Sequence, residues 1–296
     1  MIAKRGLKAD RKAYDSMMTI GGALLAICLL IVAGIAIAEN WEADPEVVQE
    51  AKAGSVVRVN FTGSFNNGWV FDTSEFDVAN DSSFAKSFEF VLKSQASYQP
   101  LSFTIGGGTL LAGFESAVIG MQVGDSKTIT LTAAEAYGEV PEANLSVHQV
   151  NQTLDATQWM SASQFQSFFG EAPVTGLTVS HPWYGWDVQV FHYDSVGDNV
   201  TVIHLPTQGE RYAAFGDPSS TQPYGWYLEV SSVNASTIQF QHLVDVSMVN
   251  TVRGTDADGL FYLHAVDGDS FTVKHAGEKI GRPLTFTITL VEIVSV

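Results

Sequence analysis

Cysteine, basic residues and charge in general are scarce in this sequence. The single cysteine, Cys28, excludes an intramolecular disulfide framework, a cysteine-rich zinc site and an iron–sulfur cluster. Only 16% of the 296 residues are charged, and 15 Lys+Arg stand against 32 Asp+Glu, which gives a net charge of −17. A nucleic-acid binder needs a basic face, and basic residues cluster only in the first dozen positions, so we expect no nucleic-acid partner. The hydrophobic content of 46%, with 18 Phe, 9 Tyr and 6 Trp, excludes global disorder.

Residues 17–38 form a run of 22 residues without a charge. About 20 apolar residues span the core of a bilayer as a helix, so the run predicts a transmembrane signal-anchor. The segment 1–16 is basic and acidic residues follow the run, so the positive-inside rule predicts a cytoplasmic N-terminus and a main part outside the cell membrane. A cleaved signal peptide ending at Ala36-Ile37-Ala38 is the alternative, although signal cores usually have about 7–15 residues. Both interpretations predict export.

Asparagine is concentrated in Asn-x-Ser/Thr sequons. Six of the ten asparagines lie in such sequons, where chance would give about one or two. An exported chain can carry glycans there. The candidate glycosylation sites are Asn60, Asn80, Asn144, Asn151, Asn199 and Asn234.

The segments 54–140 and 281–296 have the pattern of an antiparallel sheet with one helix. An acidic linker, 39–53, precedes them and is predicted to be helical near 46–51. Residues 76–97 are an irregular polar stretch, typical of a flap. Strands are predicted at 56–62, 69–72, 102–105, 126–132 and 284–294, and a short helix at 110–121. The fold class is therefore α+β, mostly antiparallel β.

Residues 141–280 have a different texture and predict a β-rich inserted domain. A helix is expected at 161–169, ended by Gly170. Three segments then repeat a glycine, a strand, a turn and a strand that ends in histidine, at His204, His242 and His275. These segments predict a fold of related hairpins, and ordinary glycine-punctuated hairpins are the alternative.

The sequence lacks the usual motifs of nucleophilic catalysis, phosphate binding and metal binding. Gly106-Gly107-Gly108 lacks the Gly-Lys-Ser/Thr continuation of a phosphate loop and is interpreted as a turn. The seven histidines show no pair at metal-ligand spacing, and no Gly-x-Ser-x-Gly elbow occurs. We therefore expect no metal and no cofactor.

An apolar, aromatic constellation remains as the candidate site. Asp72 and Tyr137 stand out in it because each is expected among apolar neighbours with a polar tip to satisfy. The other members are Phe61, Phe71, Phe103, Leu110, Leu111, Phe114 and Phe286.

Seven blocks in order resemble the FKBP-type peptidyl-prolyl isomerases. They are 59–63 (Val-Asn-Phe-Thr-Gly), 68–74 (Gly-Trp-Val-Phe-Asp-Thr-Ser), 100–106 (Pro-Leu-Ser-Phe-Thr-Ile-Gly), 110–115 (Leu-Leu-Ala-Gly-Phe-Glu), 120–125 (Gly-Met-Gln-Val-Gly-Asp), 136–139 (Ala-Tyr-Gly-Glu) and 284–286 (Leu-Thr-Phe). The insert after the Tyr-Gly block resembles the SlyD-like branch, which carries an insert-in-flap chaperone domain there. The branch's Asn-His-x-Leu-Ala-Gly segment is replaced here by Ala276-Gly277-Glu278-Lys279-Ile280-Gly281, and the insert is longer than is usual for the branch.

The resemblance implies a half-barrel of 54–140 and 281–296 around one short helix, with a pocket between them. It assigns catalytic roles to Asp72 and Tyr137, and the apolar residues of the constellation would bind substrate. Phe61 stands where the family often has Tyr, and Phe114 where many members have Trp.

The implied function is an extracytoplasmic peptidyl-prolyl cis-trans isomerase and folding chaperone for exported proteins. Its partners would be unfolded or partly folded exported polypeptides with X-Pro bonds, and membrane lipid around 17–38. The alternative is a non-catalytic adaptor with this fold, or an accessory subunit of a membrane protein assembly, that docks through the insert 141–280. A pocket filled by the flap 76–97 would favour the alternative.

Overall fold

A computed structural model describes residues 49–219 and 224–295. Glu50–Val296 is one compact unit. The predicted segments 1–16 and 17–38, and most of the linker 39–53, lie outside the described residues. Within the described ranges, none of the helices has both the length and the apolar character that crossing a membrane requires.

Antiparallel strands are the main regular secondary structure of the described chain, with few helices, which confirms the predicted fold class. The strands are β1 Val56–Phe65, β2 Val70–Thr73, β3 Leu101–Thr104, β4 Ser126–Leu131, β5 Leu145–Gln149, β6 Asn151–Asp155, β7 Thr157–Met160, β8 Thr178–Ser180, β9 Asp187–Asp194, β10 Asn199–His204, β11 Arg211–Ala214, β12 Trp226–Val233, β13 Thr237–His242, β14 Arg253–Asp256, β15 Gly259–Asp267, β16 Ser270–Lys274 and β17 Leu284–Ser295. The α-helices of the described chain are α1 Phe76–Asn80, α2 Ala112–Ala117 and α3 Ala162–Phe169. Short 3₁₀ turns occupy Gln95–Ser97, Glu142–Asn144 and Val246–Met248.

The first sheet has the order β2-β1-β17-β4, and β3 pairs with the start of β1. β1 and β17 pair along nearly their whole length, with Gly63 opposite Phe286. Helix α2 packs against this sheet at Gly113, where an added Cβ would lie only 2.4 Å from Leu131 Cδ2. The sheet and the helix enclose one apolar core, and we call this part the half-barrel.

The insert consists of three further sheets of four strands each. Their orders are β7-β10-β9-β8, β11-β12-β13-β6 and β14-β15-β16-β5. Each sheet therefore combines three consecutive strands with one strand from the run 145–160. Since the first strand, β5, closes the last sheet, the two ends of the insert lie side by side. All three sheets contribute to one core that is separate from that of the half-barrel.

The three predicted hairpins form the central pairs of these sheets. In the first, Trp186 Nε1 donates to His204 Nδ1 at 2.9 Å, and in the second, Trp226 Nε1 donates to His242 Nδ1 at 3.0 Å. The third hairpin has no tryptophan, and its His275 instead pairs with Asp256 at 2.9 Å. The same histidine position thus finds a side-chain partner in all three, buried in the first two and partly buried in the third.

Helix α3 follows its local sequence signals. Ser161 is the N-cap, and its side chain and that of Gln164 form a reciprocal capping box. Gly170 ends the helix in the left-handed conformation at φ 75°.

Three expectations need correction. Glu50 and Ala51 are not helical linker, because Glu50 bridges to Gln122 and Ala51 N donates to Met121 O at 2.9 Å. The helix expected at 110–121 is shorter, at Ala112–Ala117, because the residues before it form a loop that the Glu115 side chain holds. The flap is less irregular than expected, since it contains α1 and a 3₁₀ turn and bridges to Val70 at Lys86.

Candidate active site

A pocket of about 420 Å³ opens between the half-barrel sheet and helix α2. Eight of the nine candidate residues line it, namely Phe61, Phe71, Asp72, Leu110, Leu111, Phe114, Tyr137 and Phe286. Phe103 is the exception. It is 6% exposed and packs behind Phe114, with ring centroids 5.8 Å apart.

The floor of the pocket is a set of edge-to-face aromatic contacts. Phe114 lies 5.2 Å from Phe286 and 5.7 Å from Phe61, at interplanar angles of 84° and 90°. Phe71 meets Phe286 at 5.6 Å and 87°. Edge-to-face packing of this kind fixes the rings relative to one another. The floor is therefore apolar and rigid.

A buried carboxylate shapes one wall of the pocket. Glu115, 3% exposed, accepts hydrogen bonds from Leu110 N at 2.9 Å and Gly108 N at 3.2 Å. These bonds, chiefly the one from Leu110, hold the pKa of Glu115 below its usual value. The bonds fix the loop that presents Leu110 and Leu111. Sequence analysis assigned no role to Glu115, although the block 110–115 contains it.

The two polar candidates lie at the rim, more exposed than expected. Tyr137 is 53% exposed. Asp72 Oδ1 accepts the Thr73 backbone N–H at 2.9 Å and lies 3.7 Å from Lys93 Nζ, with its side chain 48% exposed. The expectation that both are embedded among apolar neighbours was wrong. Both side chains flank the opening, where a bound chain would meet them.

Leu101, Thr109 and Lys279 also line the pocket and were missed by sequence analysis. Lys279 comes from the segment that returns from the insert, and its Nζ lies 5.8 Å from the centre of the Phe71 ring. That segment is tied to the loop of Tyr137, since Gly281 N donates to Gly138 O at 2.8 Å. Lys279 was missed because the insert, more than a hundred residues long, separates it from Tyr137 in the chain. Its sequence neighbours do not indicate that it reaches the pocket.

The flap does not fill the pocket, because no residue of 76–97 lines it. Phe76 packs on Tyr98 at 5.6 Å. Phe88 lies between Trp69, at 5.3 Å, and Tyr262 of the insert, at 6.0 Å. The pocket is open to a substrate.

A polar cluster, buried except for Glu89, joins the flap, the insert and the half-barrel. Glu278 pairs with Arg282 at 3.2 Å and accepts Glu89 N at 3.0 Å, and Glu89 in turn accepts Glu278 N and the Tyr262 hydroxyl. Burial raises the pKa of Glu278 and lowers that of Arg282 to about 10. Lys274 donates to three backbone carbonyls of the return segment, and burial lowers its pKa to about 8. This junction cluster fixes the insert beside the pocket.

Among the described residues, one group of side chains has metal-ligand character. Asp256, Asp258 and His275 have ligand atoms within 4.8 Å of one another. A hydrogen bond between His275 Nε2 and Asp256 at 2.9 Å accounts for the closeness of these two side chains. The expectation of no metal therefore stays a prediction.

The sequons differ in exposure. Asn80, Asn151, Asn199 and Asn234 are exposed, whereas Asn60 and Asn144 are half-buried. Asn144 Nδ2 donates to His275 O at 2.7 Å, so this amide is already engaged. Asn234 Nδ2 is also engaged, since it donates to Thr237 Oγ1 at 2.9 Å. The better candidates for modification are therefore Asn80, Asn151 and Asn199.

Comparison with known proteins agrees with this geometry. Residues 48–157 match the family of FKBP-type peptidyl-prolyl cis-trans isomerases. The chain is 37% identical over 87 residues to a short-type peptidyl-prolyl cis-trans isomerase of Methanocaldococcus jannaschii, which covers 29% of this chain and 50% of that protein. It is 30% identical over 94 residues to FK506-binding protein 2 of Yarrowia lipolytica, covering 32% of this chain and 51% of that protein.

A third relative is covered more fully. The chain is 32% identical over 108 residues to an FK506-binding protein of Streptomyces anulatus, covering 36% of this chain and 68% of that protein. The chain spans about half the length of the other two relatives. The aromatic pocket, the ordered sequence blocks and this relative lead to one conclusion: the chain belongs to the FKBP-type peptidyl-prolyl cis-trans isomerase family.

Proposed function

We propose that the half-barrel catalyses cis-trans isomerisation of X-Pro peptide bonds. The observation that carries the proposal is the open aromatic pocket with Asp72 and Tyr137 at its rim. Rotation about the amide breaks its resonance and faces a barrier of about 18–20 kcal/mol. No bond is made or broken, so positioning and environment are enough for catalysis.

The pocket residues suit the twisted amide better than the planar one. The twisted amide is less polar, so it loses less by leaving water for the ring faces of Phe71, Phe114 and Phe286. The Tyr137 hydroxyl donates to the substrate carbonyl. Asp72 orients the rim or meets the carbonyl carbon.

The rival function, a non-catalytic adaptor, has less support. A pocket filled by the flap 76–97 would favour it, and no residue of that segment lines the pocket. An accessory role in a membrane assembly stays the alternative for the insert.

We also propose a cellular setting, which rests on the sequence alone. The segment 17–38 anchors the protein in the cell membrane with a cytoplasmic N-terminus, and the isomerase acts outside on exported polypeptides. Uncatalysed X-Pro isomerisation takes tens to hundreds of seconds, slow enough to limit folding of such chains. The exposed sequons would then carry glycans.

The insert acts as a chaperone beside the pocket, in the place of the insert-in-flap domain of the SlyD-like branch. Its attachment next to Tyr137 supports this role, since a client held there reaches the pocket at a local concentration in the mM range. The junction cluster supports it as well, because it prevents the insert from swinging away.

The proposal is tested by a refolding reaction that X-Pro isomerisation limits. The full chain is added at one-hundredth of the concentration of the refolding protein. We expect the slow phase to accelerate in proportion to the added chain. An unchanged slow phase would contradict isomerase activity.

A further inference from the structure

The insert carries a second concave surface, far from the pocket in sequence. A groove of about 700 Å³ is lined by aromatic and polar side chains of β7, α3 and the segment 181–184, with Asp256 at one wall. Its aromatic members are Trp159, Phe168, His181, Trp183 and Tyr184. We call it the aromatic groove.

Contacts among Phe168, His181, Trp183 and Tyr184 fix these side chains of the aromatic groove. Phe168 meets Trp183 edge-to-face at 4.6 Å, and His181 packs on Tyr184 at 4.4 Å. His181 Nδ1 accepts the backbone N–H of Trp183 at 3.2 Å. The aromatic groove is therefore preformed, which lowers the entropic cost of binding a ligand.

Trp159 stands out because it is 78% exposed. Tryptophan is highly buried on average, and exposed aromatic side chains beside a groove are typical of binding surfaces. It lies on β7, a strand at the edge of its sheet. The ring therefore offers an uncovered face to a partner.

The charge of the insert restricts the partner. Residues 141–280 contain 15 Asp+Glu and four Lys+Arg. Each of the four is engaged: Arg211 pairs with Glu229, Arg253 stacks on Phe88 and Tyr224, Lys274 is buried, and Lys279 faces Glu89. None lines the groove. Its one carboxylate, Asp256, is already engaged by His275 Nε2 at 2.9 Å, so the net negative charge of the insert is what favours a cationic partner.

Exposed aromatic faces on an acidic domain are suited to a cation. Lysine and arginine are attracted to the face of Trp or Tyr, most strongly where water is excluded. We propose that the aromatic groove binds extended, apolar polypeptide segments that carry lysine or arginine. This inference rests on the proposed holding of unfolded clients by the insert and names their chemistry.

The test uses two labelled peptides without proline, so that the pocket takes no part. They share one apolar sequence and carry either arginine or glutamate at alternate positions. Binding to the full chain in phosphatidylcholine nanodiscs is followed by fluorescence anisotropy, with empty nanodiscs as the blank. We expect the arginine peptide to bind at least tenfold more tightly, and its affinity to fall as salt is added. Equal affinities would overturn the proposal.

Variants locate the binding. Trp159→Ala removes an exposed ring without touching the core, and should weaken the arginine peptide about three- to tenfold. Tyr227→Ala removes an exposed ring of the sheet β11-β12-β13-β6, outside the groove. It should change the affinity less than twofold. Unchanged binding in Trp159→Ala, or equal losses in the two aromatic variants, would place the site elsewhere and overturn the proposal.

Isomerisation of a short proline peptide by the same preparation separates the two claims. Absent isomerase activity with intact arginine preference would overturn the proposed function alone. Intact activity without arginine preference would overturn the groove alone.

Discussion

Three histidines of the insert lie in its core as neutral side chains. His181, His204 and His242 are at most 6% exposed, and burial lowers their pKa values to about 3, 4 and 3. His204 and His242 accept an indole N–H through Nδ1, which a protonated imidazole cannot do. The folded insert therefore excludes protons that the unfolded chain binds below about pH 6.5.

Acid should destabilise the insert well above the pH where carboxylates titrate. The stability is fully present above about pH 6.5 and is lost as the pH falls toward 4, because only the unfolded state takes up the protons. Each of the three histidines contributes about 2 kcal/mol to the loss between pH 7 and 5. Urea unfolding followed by tryptophan fluorescence measures this, since four of the six tryptophans lie in the insert. We expect the midpoint to fall steeply.

A single substitution provides the control. His242→Gln keeps an acceptor for Trp226 and removes one titrating group, so its midpoint should fall by about a third less. A midpoint that stays level between pH 7 and 5 in the unsubstituted chain would contradict the neutral burial of these histidines.

At the scale of elements, the first two hairpins start from the same tight turn, Tyr-Gly-Trp. In the second, Gly225 has φ 79° and its N–H donates to Arg253 O at 2.6 Å. A Cβ there would lie 2.0 Å from Ala214 O. At this turn β12 therefore begins in contact with the backbone of its neighbouring strand, β11. Only glycine has room there.

Gly225→Ala should destabilise the insert far more than a positive φ alone would. The matched control is Gly209→Ala, because Gly209 has φ 83° and open space around its Cβ position. We expect a loss of about 1 kcal/mol for Gly209→Ala and at least about 3 kcal/mol for Gly225→Ala, since backbone must move. Urea unfolding at pH 7 measures both. Equal losses would show that the close approach to Ala214 is absent.

Elements set by local signals could be predicted from the sequence, and those set by distant pairing could not. Helix α3 carries its own caps, Ser161 and Gly170, and the hairpins carry alternating apolar residues with glycine turns. Strands β5, β6 and β7 are short and largely polar, and their partners lie in three different sheets. Nothing in their own residues specifies those partners.

The same distinction applies to the residues of the pocket. The aromatic floor could be predicted because its residues fall in the ordered blocks of a known family. Lys279 could not, since it reaches the pocket only through the return of the chain from the insert. The exposure of Asp72 and Tyr137 also escaped prediction, because it depends on where the rim of the pocket lies.

On the scale of the whole molecule, the insert and the half-barrel share residues at their junction. Lys279 lines the pocket, and Glu278 pairs with Arg282 beneath it. Removing all of 141–280 would therefore damage the pocket as well as the insert. The better boundary is Asn144 and His275, since His275 N donates to Asn144 O at 2.8 Å and a short loop can join them.

Replacing 145–274 with a short Gly/Ser loop should separate turnover from client binding. We expect activity on a proline tetrapeptide to stay within about threefold, since the pocket residues remain. Activity on a refolding protein should fall at least tenfold, because the mM local concentration of the client is lost. Equal losses on both substrates would mean that the insert is structural. No loss on either would favour docking to a membrane partner.

The central claim is that the pocket turns over X-Pro bonds through the residues at its rim. The most direct measurement is the rate of cis-trans exchange of a proline tetrapeptide, with the full chain and with its Asp72→Ala, Tyr137→Phe double variant. A matched double variant in the insert, Asp267→Ala with Tyr227→Phe, removes the same groups away from the pocket. We predict that the rim variant loses roughly tenfold in kcat/KM, as expected for the loss of one or two hydrogen bonds to the substrate, and that the insert variant matches the unsubstituted chain. Unchanged exchange in the rim variant would contradict the account.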